Sequence, residues 1–332
     1  MLTANTIKRR DFITLLGGAA ASWPSAARAQ RRKVPVVGVL SSFPQGAPSL
    51  NALRAGLAEA GYREGENLAI EYRRGPPDSR RMRMLADDLV SRQVAVIVAA
   101  GGAFAPISAA KAATSTIPIV FFYAGDPVAD GLIAALNRPG GNLTGMTNLT
   151  GDLQGKRLDL LHRMVPQANT VGYLSGTPNY RFYQKQTSSM RAAADALGLR
   201  LDMVECDSDR DFDSAFSTFD EHHIKALILG TFVLPNLYKV IDLAERHRIP
   251  TMYFGRGFVM NGGLMSYDAD VLAVYRQLGA HYVGPILRGA KPADLPVQQP
   301  SKFDLVINLK TAKSLGLEVP EALLAIADQV IE

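Results

Sequence analysis

The 332-residue chain is 47 % hydrophobic and 20 % charged, the balance of a globular protein with enough core for two lobes. Its formal net charge of +5 is unevenly placed: Lys8, Arg9, Arg10 and Arg28 against Asp11 put three of those charges in the first 29 residues, which argues against the concentrated basic face of a nucleic-acid binder. Cys206 is the only cysteine, which excludes an intramolecular disulfide.

Residues 1–29 read as an export signal. Lys8-Arg9-Arg10 is a charged start, residues 12–21 (FITLLGGAAA) form a short apolar core, and Ala27-Arg28-Ala29 is an A-x-A cleavage site that leaves Gln30 as the mature start. The apolar run is too short to span a bilayer. Arg9-Arg10-Asp11-Phe12-Ile13 resembles a twin-arginine signal, with the Tat and Sec routes both open. Export without a lipid-anchoring cysteine leads to the expectation of a soluble periplasmic protein.

Buried strands are expected at 34–40, 94–99 and 117–123, a more exposed one at 68–72, and a short one at 143–147. Helices are expected at 50–61, 80–92 and after Gly101-Gly102, where Pro106 suits a first turn, with another over 131–136. Arg73, Arg74, Arg80, Arg81 and Arg83 make the only dense basic segment, read as a solvated face. The second half repeats the alternation. Helices are expected at 153–164, 183–198 and 211–221, and strands at 170–174 and 200–205. A strand at 264–267, a long helix over 268–287, a linker at 292–296, a strand at 303–308 and helices at 309–315 and 323–331 close the chain.

Residues 94–131 and 224–257 share one arrangement of strand, loop, helix, Ile-Pro and strand. Ile117 and Ile249, Val96 and Ile228, and Gly125 and Gly257 are each 132 apart, and Gly38 and Gly172 are 134 apart. This indicates a duplicated α/β unit. The expected fold is α/β: two Rossmann-like lobes with parallel sheets, joined by a hinge of several crossovers. The first lobe is expected to hold 34–146 with 267–293, the second 147–266 with 294–332.

Ligands of such sheets bind beyond the carboxyl ends of the strands. That rule nominates Ser41, Ser42, Phe43, Gly101, Gly102, Ala103, Phe104, Tyr123, Ala124 and Asp126 on the first lobe. On the second it nominates Ser175, Thr177, Asn179, Thr231, Phe232, Phe254 and Arg256, with Asp268 near the hinge. Gly101-Gly102 offers backbone N–H groups to an anion or makes a simple tight turn. Asp126 pairs with an ammonium group or caps a helix beginning near Pro127, and Arg256 holds a carboxylate or lies on the surface. Asp268 is read first as a helix cap and second as a ligand group. The number of aromatic residues on these loops favours an aromatic or apolar ligand.

Enzyme motifs are missing. There is no G-x-S-x-G and no H-E-x-x-H, and none of His162, His222, His223, His247 and His281 falls on these loops. Residues 151–157 (GDLQGKR) depart from a P-loop: three residues separate the glycines, and Arg157 stands where a hydroxyl should bind magnesium. The first strand's loop lacks G-x-G-x-x-G. Neither a cofactor nor a metal is expected.

Residues 112–120 (AATSTIPIV), 136–145 (LNRPGGNLTG), 262–267 (GGLMSY) and 289–311 (GAKPADLPVQQPSKFDLVINLKT) resemble ABC transporter substrate-binding proteins of the type I periplasmic-binding-protein fold, in the group related to tryptophan/tyrosine-binding proteins. The resemblance spans essentially the whole chain. It implies capture of a small solute without chemistry, delivery to ABC permease subunits in the inner membrane, a monomer, and no nucleic-acid partner. It also implies a carboxylate held near 101–103 and 123–126, with aromatic contacts from the second lobe; an aromatic amino acid or aromatic carboxylate is the first choice of ligand. Residues 176–180 (GTPNY) depart from the asparagine-proline-rich loop expected there. Two alternatives are an exported α/β enzyme and a LacI-like effector-binding domain; the leader occupies the place where the latter's DNA-binding helices would lie.

Overall fold

The computed structural model describes residues 34–41, 47–75, 79–149, 153–176, 181–231 and 238–332. The export-signal reading of residues 1–29 falls outside them. The first sheet contains β1 (Val36–Ser41), β2 (Ala69–Arg74), β3 (Val96–Gly102), β4 (Ile119–Tyr123) and β5 (Leu143–Thr147), in the order β2-β1-β3-β4-β5, all parallel. Alternate side chains face opposite ways, so each strand feeds two cores. Val37, Val39, Val98, Val120 and Phe122 pack under α1 (Pro48–Glu59). Leu40, Ile97, Ala99, Ile119 and Phe121 pack under α2 (Ser79–Ser91) and α3 (Phe104–Ala113). Burial on both faces is why these strands read as continuous apolar runs.

The second sheet has the order β12-β11-β10-β9-β8-β6-β7. It contains β6 (Thr170–Gly176), β7 (Arg200–Cys206), β8 (Leu227–Leu229), β9 (Thr251–Tyr253), β10 (Met265–Ala269), β11 (Phe303–Asn308) and β12 (Gln329–Ile331). Helices α4 (Gln154–Met164) and α5 (Arg181–Leu197) cover one face, α6 (Phe212–Glu221) and α7 (Lys239–Arg246) the other. Its run β7-β6-β8-β9-β10 repeats the order β2-β1-β3-β4-β5 of the first sheet. The repeated spacing in the sequence is therefore a repeated topology. The exception to parallel pairing is β11, which runs antiparallel to β10.

Four expected elements differ. Residues 131–136 form turns instead of a helix: Leu132 and Ile133 donate to the Pro127 carbonyl, and Gly131 takes φ 70°, which closes a turn and cannot propagate a helix. The long helix expected over 268–287 begins later, at α9 (Val271–Gln277), because Asp270 and not Asp268 caps it by accepting from the Ala273 N–H. It then passes through a π turn (Leu278–Val283) into α10 (Gly284–Leu287). Pro285 has no N–H to give the preceding turn, a recognised cause of such irregularity. The linker expected at 292–296 holds a 3₁₀ turn (Pro292–Asp294). The terminal helix expected over 323–331 is instead a short helix (Glu321–Leu324) and strand β12; the Asp328 N–H donates to the Leu305 carbonyl while its Oδ2 accepts from the Leu305 N–H, which draws the tail onto β11.

Three passages connect the sheets. One follows β5, a second follows β10, where α9 and the π turn return to pack on α1, and the third precedes β11. The second passage is held tightly. A Cβ on Gly56 would lie 1.9 Å from the Arg276 carbonyl oxygen, and one on Gly279 would lie 2.5 Å from that of Leu53. Before the third, Gln298 bridges to Met146 beside β5 and Tyr282 donates to the Pro296 carbonyl.

Candidate functional site

Parallel pairing aligns the carboxyl ends of the strands in each sheet, and the nominated residues collect there. Ser42, Phe43, Thr177, Asn179 and Phe232 lie outside the described residues. On the first sheet, Ser41 is buried at the end of β1. Gly101 and Gly102 take φ of 113° and 74° at the end of β3, the left-handed region that favours glycine. The Gly101 N–H is already engaged, donating to the Tyr275 hydroxyl at 2.7 Å, so this group is not a free donor for an anion. The Gly102 carbonyl accepts from Ala124 at 3.0 Å, tying the two loops together.

Ala103 precedes α3, and Phe104 opens it with 38 % of its surface exposed, its ring centroid 6.3 Å from that of Tyr123. Tyr123 is buried and its hydroxyl donates to Asp130 at 2.6 Å; burial raises its pKa well above the usual phenol. Asp126 caps, but it caps a turn and not the helix expected near Pro127: its Oδ1 accepts from the Val128 and Ala129 N–H groups at 3.0 and 3.1 Å.

On the second sheet, aromatic rings gather after β9. Phe258, in α8 (Arg256–Met260), touches Phe254, Tyr253 and Tyr238 at centroid distances of 4.9–5.0 Å. Tyr238 keeps 52 % of its surface exposed. Arg256 is exposed at the start of α8, with no ion pair among the described residues. Sequence reasoning did not nominate Tyr238, which lies just before α7.

Deeper at the same end lies a polar network centred on Arg157, whose side chain is fully buried. Its Nε donates to the Tyr267 carbonyl at 2.8 Å, its Nη1 to Thr231 Oγ1 at 3.3 Å, and its Nη2 is 3.5 Å from Asp268 Oδ1. Gln186, also buried, receives the Thr231 N–H and donates to the Thr231 carbonyl, both at 3.0 Å. Gln154 donates to Gln186 at 2.8 Å. Asn148, just after β5 of the first sheet, donates to Asp268 Oδ1 at 3.3 Å. Asp268 thus stands where the first passage leaves one sheet and the second leaves the other.

Asp268 is not the helix cap it was read as. Burial raises its pKa to about 6, against the opposing pull of Arg157, the Ala269 N–H and Asn148. Burial likewise lowers that of Arg157. Ser175 Oγ, buried at the end of β6, has no hydrogen-bond partner among the described residues.

Arg157 was legible as something other than a failed P-loop residue. Gln154, Arg157, Leu158, Leu161 and Met164 are all buried on α4, and their spacing is that of one helical face. A charged residue on that stripe calls for a buried partner.

Among the described residues, no helix is long and apolar enough to cross a membrane, and no group of three or more His, Cys, Asp or Glu residues is placed to hold a metal.

The model of the ABC transporter substrate binding protein family matches residues 33–331. The chain belongs to this family. Such a protein is the solute-capturing component of an ABC transporter, works outside the cytoplasm beside a membrane permease, and is classed by binding and not by catalysis. Among its relatives, a tyrosine-binding protein of Clostridioides difficile (strain R20291) is 26 % identical over 281 residues, covering 82 % of this chain and 78 % of that one. A Streptococcus pneumonia ABC domain solved in complex with L-Trp superposes with a TM-score of 0.79 at 25 % identity, over 90 % of this chain and 99 % of that one. A conserved domain protein of Vibrio cholerae gives 0.78 at 28 % identity, over 90 % and 100 %. The two-lobed α/β fold expected from the sequence is the one found.

Proposed function

We propose that this substrate-binding protein captures an aromatic amino acid or aromatic carboxylate between two closing lobes and hands it unchanged to the permease. The observation that carries the reading is the placement of exposed aromatic surface at the carboxyl ends of both sheets: Phe104 on the first and, on the second, Tyr238, which rests on the buried Phe258 ring. Two aromatic faces contributed by separate sheets suit a flat apolar ligand, and one that touches both stabilises the closed form. The tyrosine and L-Trp named for two relatives fit that class.

In this reading 34–146 with 267–293 form the first lobe and 147–266 with 294–332 the second, with the middle exchange near the carboxyl end of β10. Residues 1–29 serve as a cleaved leader, with a twin-arginine character, for a monomeric periplasmic receptor that has no nucleic-acid partner and performs no catalysis. Arg256, exposed and without an ion pair among the described residues, is the side chain best placed to meet a carboxylate.

Isothermal titration with L-tyrosine, L-tryptophan and 4-hydroxybenzoate tests the ligand class. Saturable binding of at least one supports it. Binding of none, with a sugar or nucleoside bound instead, removes it.

A further inference from the structure

Asp268 is held by one oxygen only. Oδ1 takes the Arg157 guanidinium at 3.5 Å, the Asn148 amide at 3.3 Å and its own chain's Ala269 N–H at 2.8 Å. Oδ2 has no partner among the described residues, and the side chain keeps 11 % of its surface open. Asn148 Oδ1 is buried and accepts nothing among the described residues. An acceptor without a donor among the described residues, and partly open, therefore stands at the carboxyl end of β10.

The charged surroundings are few. Arg157 comes from α4. Asp304 lies opposite Asp268 in the β10–β11 register and carries its own cation, Lys302, at 2.9 Å. A cation introduced at Oδ2 would meet a carboxylate already fixed in direction, so little ordering cost remains.

We infer that Asp268 Oδ2 receives the protonated amine of the ligand, and that Arg157 and Asn148 position the carboxylate for it. This rests on the aromatic-ligand reading and narrows it: the solute is an amino acid and not a plain aromatic acid. A charge-assisted hydrogen bond in a partly dry site discriminates strongly against a ligand that lacks the donor, because the acceptor is then left unpaired. Arg157 itself is fully enclosed and does not touch the ligand.

The experiment compares two matched pairs by titration calorimetry: L-tyrosine with 3-(4-hydroxyphenyl)propionate, and L-tryptophan with indole-3-propionate. The native protein should bind the better amino acid about tenfold or more tightly than its amine-free analogue. Asp268→Asn should abolish that gap and leave the analogue's affinity within about threefold of its native value. A gap that survives Asp268→Asn, or an equal loss for both members of a pair, overturns the inference. Equal native affinity for both members also overturns it while leaving the aromatic-ligand reading intact; native failure to bind all four compounds removes both.

Should Asp268→Asn not fold, the native protein decides alone. The gap should widen as pH rises from about 5.5 to 8 and Asp268 completes its ionisation. A gap independent of pH over that range contradicts the assignment.

Discussion

Arg157 Nη2 and Asp268 Oδ1 are 3.5 Å apart, and that contact ties helix α4 to the strand from which the chain returns to the first sheet. Both groups are charged and nearly dry. Such a pair gains little over an apolar substitute, but removing one member leaves the other buried and uncompensated. Its value lies in fixing the geometry where the sheets exchange chain.

Arg157→Met should therefore destabilise the protein by about 3–5 kcal/mol, and Arg157→Met combined with Asp268→Asn by clearly less than the sum of the two single changes. Urea unfolding of the four proteins reads this directly. Additive losses would show that the pair is not coupled.

The stability of the ligand-free protein should carry a pH signature of Asp268. Its pKa is raised to about 6 in the fold, chiefly by burial, whereas an unfolded Asp sits near 3.9. The folded state holds this proton more tightly, so the contribution is fully present below about pH 4 and is lost as pH rises through about 6, a fall of roughly 2–3 kcal/mol. The stability of the native protein relative to Asp268→Asn should decline over that window. A difference that instead grows with pH would mean the folded pKa is depressed.

The return of the chain onto the first sheet depends on a close backbone approach. Gly56→Ala places a methyl 1.9 Å from the Arg276 carbonyl oxygen, which forces α1 and α9 apart. A loss of about 1–3 kcal/mol or more is expected by chemical denaturation. A neutral result would show that the two helices slide freely.

Phe104 is half free of the core, with its ring near that of Tyr123. Phe104→Ala should weaken L-tyrosine or L-tryptophan binding about three- to tenfold, the range of one aromatic contact, with little change in melting temperature. Unchanged affinity would place the ligand elsewhere.

The parallel strands were legible because burial on both faces writes itself as runs such as residues 94–99, and the Ile117–Ile249 spacing announced the repeat. Ends and exchanges were less so. Residues 323–331 have the apolar content of a helix, but Asp328 bonded to Leu305 turns residues 329–331 into an edge strand, a choice set by a neighbour far away in sequence. Asp268 and Asp270 are equally good caps on paper; only the fold reveals that Asp270 meets the helix and Asp268 meets Arg157, 111 positions earlier. Gly101 looked like an anion cradle until Tyr275, arriving with the returning chain, took its N–H.

The most direct test of the account is a thermal-shift panel of amino acids, aromatic acids, sugars and nucleosides at about 1 mM. A ligand at about 100 times its dissociation constant adds roughly 2.7 kcal/mol to stability, a shift of several degrees. The account predicts the largest shifts from aromatic amino acids, weaker ones from their amine-free analogues, and none from sugars or nucleosides. A shift given by a sugar or nucleoside, with none from any aromatic amino acid, would contradict it.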